Sequence, residues 1–447
     1  MTTVNAIETR PVRPLFFSYL YPAMVGMLLM SVNILVDGIF VSRGVGATAL
    51  AGVNIAVPIF SILLSISLWI GMGGATLFSI SLGEGNRKRA HQIFTLSFIM
   101  MIGIVATIVV LLLMNLKEVA YIFGADHTTY PYVQQYLYII LLFGLFYTIE
   151  NLLSIFIRND GSPKLAMMGL ITTSVLNIIF NYIFIFMLNY GVKGCALATA
   201  LSTIIGMLVL FLHFFNPKSE LKFVRHFFAF SDMKRIVTVG FPSFIVEASM
   251  AAIIILYNIT FLHYLGSNGV TAYAMVNYIH AVLLTVFLGI GMALQPLVSY
   301  HHGARLTKRL VALLKIGVKT AVILGLLTAI IAMLFPSQLM GLFGNKSTAE
   351  VQLMAIQGFA QFAIGYIFLG VNMVFAEFFQ SIEKIRLATI IMLLRSFILF
   401  IPVLLLLPQA FGTQAIWWTF PVVEGLTALL IAIFIGVRRK TLFGINF

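Results

Sequence analysis

The chain is poor in almost everything a soluble protein uses. Charged residues make up 9% of its 447 positions, where an ordinary soluble domain carries about 25%. A single cysteine, Cys195, excludes an intramolecular disulfide, and no Cys/His cluster has metal-ligand spacing, so neither a metal nor another cofactor is expected. The glycine-rich stretches at Gly71–Gly74 and Gly83–Gly85 lack the lysine and serine of a phosphate-binding loop, which argues against ATP as an energy source. No nucleophile elbow and no His/Asp cluster is present, so the chain is not expected to be an enzyme. Acids are scarce as well: 14 against 27 Lys and Arg, a formal charge of +13. In a soluble protein that balance would suggest nucleic acid. Here the basic residues sit in loops between apolar runs, so nucleic acid is not an expected partner. No small-residue cleavage site follows the first apolar run, so that run reads as a retained helix.

What the chain has instead is apolar length. Hydrophobic residues are 61% of the total and the mean hydropathy is +1.06. Runs of roughly 20 or more apolar residues, enough to cross a bilayer, lie near 16–41, 50–82, 92–116, 131–157, 164–187, 194–215, 240–263, 270–300, 310–335, 351–379, 385–408 and 414–437. They are too long and too unbroken for barrel strands, and only helices and closed barrels satisfy their backbone in hydrocarbon, so the expected fold is an all-α integral membrane bundle. The loops holding Arg87 to Arg89, Lys218 to Arg235, Arg305 to Arg309 and Arg438 to Lys440 are basic, whereas the opposite loops carry only Arg43, Lys117, Lys193 and Lys346. By the positive-inside rule both termini are cytoplasmic, in a multi-pass protein of the plasma membrane.

The chain also repeats itself. SILLSISLWIGMGGATLFSISLGEGNRKR at 61–89 returns 220 positions later as AVLLTVFLGIGMALQPLVSYHHGARLTKR, and Pro22 with Pro242 and Gly46 with Gly266 keep the same offset. Six spans per half is an even number, so the second half enters the bilayer as the first does: twelve transmembrane helices in two pseudo-symmetric six-helix lobes, a parallel repeat. The lobes are expected at 1–215 and 236–447, joined by a polar cytoplasmic linker at 216–235 whose Phe and basic residues could form a short helix on the inner leaflet. A duplicated, very apolar chain points to a secondary transporter.

Charge inside a span is costly, so intramembrane acids are the first functional candidates. Asp37 stands in the outer half of the first span, with Asn33 one turn below on the same face. Its counterpart 220 residues on is Tyr257, so the scaffold is doubled and the charge is not, which suggests an ion-coupling role for Asp37. Glu247 and Glu377 are candidates for a second cation site in the other half. Glu150 reads as a packing and hydrogen-bonding group. Arg395 needs a partner in low dielectric, with Glu377 and Glu424 available, and Arg395 and Glu424 are taken as a structural charge network. The 40 Phe, 16 Tyr and 21 Met offer aromatic faces and adaptable thioethers to lipophilic cations.

Asp37-Gly38-Ile39-Phe40-Val41 followed by Gly46, then IRNDGSPKLAMMGLITTSVLNIIFNYIFIF, YGVKGCALATALS and GTQAIWWTFPVVEG, resemble the multidrug and toxic compound extrusion (MATE) antiporters, closest to their DinF-like prokaryotic branch. The likeness covers essentially the whole chain. It implies a two-lobed exporter of small-molecule drugs and organic cations working by alternating access. Asp37 would be its first-helix carboxylate, Pro22 the point where that helix bends, and Asn177 and Thr199 members of the surrounding polar network. Two positions depart from the pattern: Asn181 stands where relatives often carry a second aspartate, and Asn33 where some carry a tyrosine. With Asp37 the sole obvious coupling carboxylate of the first lobe, H+ is the expected coupling ion and Na+ the alternative. The expected partners are the transported molecule and membrane lipid, with the protein a monomer. The rival readings are a lipid-linked oligosaccharide flippase of the same superfamily, which would need a basic cleft, and an integral-membrane enzyme.

Overall fold

Backbone groups in hydrocarbon must find partners within their own segment, and this chain answers with helix almost throughout. A computed structural model describes residues 7–225, 230–341 and 348–443, and no strand occurs among the described residues. In the first half the helices are α1 (Val12–Gly44), α2 (Ala47–Gly83), α3 (Arg87–Met114), α4 (Tyr130–Leu142), α5 (Gly144–Asn159), α6 (Pro163–Asn181) and α7 (Gly191–Phe211). Then come α8 (Phe230–Gly303), α9 (Thr307–Leu334), α10 (Ala349–Phe362), α11 (Tyr366–Ser381), α12 (Ile385–Leu393), α13 (Phe400–Phe411) and α14 (Thr419–Phe443). Several of these are parts of one span. Helices α4 and α5 meet at a 52° bend. Wide π-helical turns at Tyr182–Met187 and Leu394–Ile398 prolong α6 and link α12 to α13, and a 3-10 turn at Ala363–Gly365 joins α10 to α11. The 74-residue α8 is two spans broken at Gly266, where φ is 65°. Twelve spans result among the described residues, as the apolar runs predicted.

The duplication is visible in the backbone. Positive φ recurs at Gly46 and Gly266, Gly85 and Arg305, Gly161 and Glu383, and Gly191 and Gly412, pairs 220, 220, 222 and 221 residues apart. Each pair marks the same connection in the two repeats. Left-handed backbone is costly for residues with a Cβ. Glycine fills both members of two pairs, and in the other two the second repeat tolerates Arg305 and Glu383.

Two compact units emerge: Met1–Phe244 with Ser299–Arg305, and Ile245–Val298 with Leu306–Phe447. The boundary expected at 235/236 falls nine residues later, inside α8, because the start of that helix packs on α2. The Trp69 indole donates to the Val237 carbonyl at 2.7 Å and stacks on Phe244, while Gly73, lacking a side chain, lies against the backbone of Ile236 and Gly240. Arg89 clamps Asp232 at 2.7 Å. Residues 299–305 join the first unit for a similar reason: Gly83 lies against the Tyr300 carbonyl and Gly303 against that of Ile80, two matching repeat positions meeting each other.

The linker expected at 216–235 is described in part. Asn216 to Arg225 follows turns and extended backbone with no helix, and residues 226–229 lie outside the described residues. Phe223 stacks on Phe214 and packs at an angle against Phe94 and edge-on against Phe98, so this stretch is held by an aromatic cluster of its own unit. Its polar groups are used as well: the Ser219 hydroxyl and the Glu220 amide both donate to Asp160 Oδ2.

Candidate functional site

An α-helix brings residues four apart to one face, and α6 uses that spacing to build a polar stripe of Thr173, Asn177 and Asn181. The stripe packs against α1 and α7. Asn177 and Asn181 are 1% and 0% exposed, so their amides must be satisfied internally. Asn181 Nδ2 donates to Asp37 Oδ1 at 2.6 Å and to Asn177 Oδ1 at 2.9 Å. Asn177 Nδ2 donates to Thr199 Oγ1 at 3.2 Å, and that hydroxyl donates to the Cys195 carbonyl, also at 3.2 Å. Four residues singled out in the sequence, from three helices, thus form one bonded cluster. Its only charge is Asp37.

Two oxygens in this neighbourhood are open. Asn181 Oδ1, and Asn33 Oδ1 one turn below Asp37, are buried and accept no hydrogen bond among the described residues. Beyond Asp37 toward the end of α1, Val41, Ala49, Val53, Ile185, Val192 and Cys195 form an apolar cluster. Asn181 is the last residue before the wide turn at Tyr182–Met187, a feature that often accompanies functional sites. Pro22 is buried inside α1, fifteen residues before Asp37 and apart from the cluster.

Lower on the stripe is a second buried acid. Thr173 Oγ1 donates a hydrogen bond to Glu150 Oε1, so the polar face of α6 runs from Glu150 at one end to Asp37 at the other. The sequence signal for it was the spacing 173, 177, 181.

The second unit holds a cavity of about 160 Å³ whose wall includes Tyr257, Asn277, His280, Arg395, Ser396 and Glu424. Arg395 and Glu424 pair: Nε lies 2.9 and 3.0 Å from the two carboxylate oxygens and Nη2 lies 2.7 Å from Oε1. Asn372 adds a 2.7 Å bond to Oε2. His280 Nδ1 lies 3.0 Å from the Tyr366 hydroxyl, and its ring packs edge-on against Phe362 and Phe420, a satisfied structural histidine. Tyr257, the repeat counterpart of Asp37, is buried among Tyr273, Phe400 and Phe362. Neither Glu247 nor Glu377 lines this cavity. Glu377 lies against Gly291, and Glu247 is half-buried on α8. Lys346, expected on the outer side, lies outside the described residues. No group of three or more metal-ligating side chains occurs among the described residues.

A duplicated twelve-span bundle with one carboxylate held in an otherwise neutral intramembrane cluster is built as secondary transporters are built. The MatE family model matches residues 22–183 and again 242–406, one copy per repeat. The chain belongs to the MatE family. Among curated relatives it is 26% identical over 432 residues to the multidrug export protein MepA of Staphylococcus saprophyticus, covering 94% of this chain and 93% of the relative. It is 24% identical over 440 residues to MepA of Staphylococcus aureus, covering 97% and 96%. Solved structures share the fold. One described as the outward-facing conformation of a multidrug resistance MATE family transporter superposes with a TM-score of 0.91 at 22% identity, covering 98% of both chains. A variant of the Vibrio cholerae MATE transporter VcmN gives 0.89 at 20% identity, again over 98% of both.

Proposed function

We propose that this protein exports lipophilic organic cations by alternating access, exchanging each for a proton taken up at Asp37. The observation that carries the reading is the bonding of Asp37, the one charge in a cluster whose other members, Asn177, Asn181 and Thr199, are neutral. A buried carboxylate without a counter-charge pays a heavy desolvation cost. Either a cationic substrate or a proton relieves it, and the two cannot do so together. A cation entering from the cytoplasm would be held by the anionic form, and a proton arriving from outside would discharge the site and release it. Ion and drug are then linked reciprocally through a single charge. The family membership and the export role named for the MepA relatives support the same reading.

Sodium is a second reading, favoured by the open oxygen of Asn181 and the buried Asn33 oxygen near Asp37, since sodium sites gather several oxygen ligands. The flippase alternative lacks support at this site, which offers no cation to a pyrophosphate. The positive-inside distribution supports cytoplasmic termini in a plasma-membrane protein.

Ethidium efflux from proteoliposomes discriminates among these readings. In sodium-free buffer an imposed pH gradient should drive efflux and a protonophore should stop it. Efflux that requires an inward sodium gradient and ignores the protonophore would overturn proton coupling.

A further inference from the structure

The cavity of about 160 Å³ in the second unit has a wall of two chemistries. Tyr257, Phe362, Phe400 and Phe420 give it aromatic faces, with Phe362 and Phe420 stacked at 4.4 Å and Phe400 edge-on to Tyr257 at 5.1 Å. Asn277, His280 and Arg395 give it polar groups. Ala281 is an exposed member of the wall, so the cavity opens at the surface of the unit there. A space of about 150 Å³ takes one benzene ring. The room here is that of a single ring with a small substituent.

The unused polar groups are donors. Asn277 and His280, three residues apart on one face of α8, are neighbours. Asn277 Oδ1 lies 3.5 Å from the Tyr273 hydroxyl, and Nδ2 makes no hydrogen bond among the described residues. The Tyr366 contact satisfies one side of the His280 ring. Were Nδ1 the donor in that bond, the proton of Tyr366, a residue 0% exposed, would be left without an acceptor. Tyr366 therefore donates, and the ring proton sits on Nε2, which has no partner among the described residues. Both nitrogens remain accessible, whereas the Tyr257 hydroxyl is sealed in the wall. Arg395 Nη1 meets the Met392 sulfur at 3.8 Å, a weak acceptor.

The charge in the wall is already balanced. Glu424 accepts three bonds from Arg395 and one from Asn372, so its oxygens are taken. The pair is neutral as a whole, and a cation or an anion beside it would be buried without compensation. Water would serve the donors and leave the aromatic faces wet, at about 25 cal/mol per Å². What fits both halves of the wall is an uncharged acceptor on a flat apolar body. Gly46 and Gly85 pair with Gly266 and Arg305 across the repeat, and in that register Asn277 and His280 correspond to Val57 and Phe60. The donors exist in one repeat only, so the shared fold does not require them.

We propose that this cavity binds an uncharged, single-ring aromatic compound carrying a carbonyl oxygen, such as an aryl ketone or amide. The ring lies against the aromatic faces, and the oxygen accepts from Asn277 Nδ2 and His280 Nε2. A few placed polar groups in a largely apolar cavity are the usual makings of a small-molecule site. The site is separate from Asp37 and does not depend on the exchange proposed there. It adds a ligand class that carries no charge for Asp37 to hold.

The test uses the full-length protein in phosphatidylcholine vesicles, photolysed with 4-azidoacetophenone, with the labelled peptides mapped by mass spectrometry. Labelling is expected at 246–257, 277–284 and 392–400. Excess acetophenone should remove it, and benzylamine or benzoate at the same concentration should not. Asn277→Leu keeps the size and removes the donor, and should raise the acetophenone concentration for half-competition about two- to tenfold. Ala281→Phe fills the opening from an exposed position and should suppress labelling with the melting temperature unchanged. It serves as the readout if Asn277→Leu fails to fold. Labelling absent from those segments, or undiminished by excess acetophenone, would overturn the proposal in favour of a water-filled cavity. Equal competition by benzylamine or benzoate would overturn it in favour of a charged ligand, and parental behaviour of a folded variant would remove the cavity from the binding.

Discussion

Replacing Arg395 by methionine removes the stronger partner of the most deeply buried acid in the second unit. Glu424 is 3% exposed and receives three Arg395 contacts of 2.7–3.0 Å, besides the Asn372 bond. With the guanidinium gone, the carboxylate keeps one amide donor and no counter-charge, a change that typically costs about 3–5 kcal/mol. Glu424→Gln alone preserves shape and leaves a neutral acceptor for Asn372, but gives up a charge-assisted pair, at about 1.5–3 kcal/mol. The double variant leaves neither charge stranded. Its loss should be smaller than the sum of the single losses by about 0.5–3 kcal/mol, the coupling expected of groups in direct contact. At roughly 2–4 °C per kcal/mol for a unit of this size, Arg395→Met should lower the melting temperature by about 10 °C, and adding Glu424→Gln should lower it little further. Tryptophan fluorescence of detergent-solubilised protein reads this unit directly, because Trp417 is fully buried within it. Additive single effects, or an Arg395→Met protein that melts like the parent, would refute the claim that the pair is a mutually dependent buried ion pair.

Thr173→Val deletes the donor to Glu150 Oε1 and should destabilise the first unit by about 1–3 kcal/mol, seen as a lower melting temperature, while Thr172→Val, on the exposed face of α6, should leave it unchanged. Gly73→Ala places a methyl group against the Ile236 carbonyl and the Gly240 amide, so α2 and α8 must separate; overpacking of this kind costs about 1–3 kcal/mol, measurable in the same melt. Topology is checked in a Cys195→Ser background. Cysteines at Arg43 should react with an impermeant thiol reagent from outside, and cysteines at Arg89 and Arg309 should not. Opposite labelling of Arg89 and Arg309 would sink the parallel repeat.

Much of the fold was legible because long apolar runs leave the backbone few choices. The break at Gly266 could be read from Gly46 through the repeat, and both carry positive φ. The cluster at Asp37 came from two signals: Asp37 from charge in an apolar span, and Asn177, Asn181 and Thr199 from family resemblance. Other features left no local mark. The wide turns at Tyr182–Met187 and Leu394–Ile398 arise from a shifted hydrogen-bond register in ordinary apolar sequence. Helices that are apolar all round have no polar face to give their rotation, so the position of Glu247 and Glu377 off the cavity that Glu424 lines could not be read. The pairing of Asp160 with His213 joins residues 53 apart, and only the tertiary fold brings them together.

The central claim is that one carboxylate carries the exchange, and it is tested most directly by Asp37→Asn in proteoliposomes under an imposed pH gradient without sodium. The amide keeps the shape and can still bond Asn181 through its oxygen, but it cannot bind and release a proton. Ethidium efflux should fall to the level of empty liposomes while the melting temperature stays near that of the parent, and Tyr257→Phe at the matching repeat position should retain most activity. Gradient-driven efflux at the parental rate in Asp37→Asn would contradict the account and move the coupling site to Glu247 and Glu377.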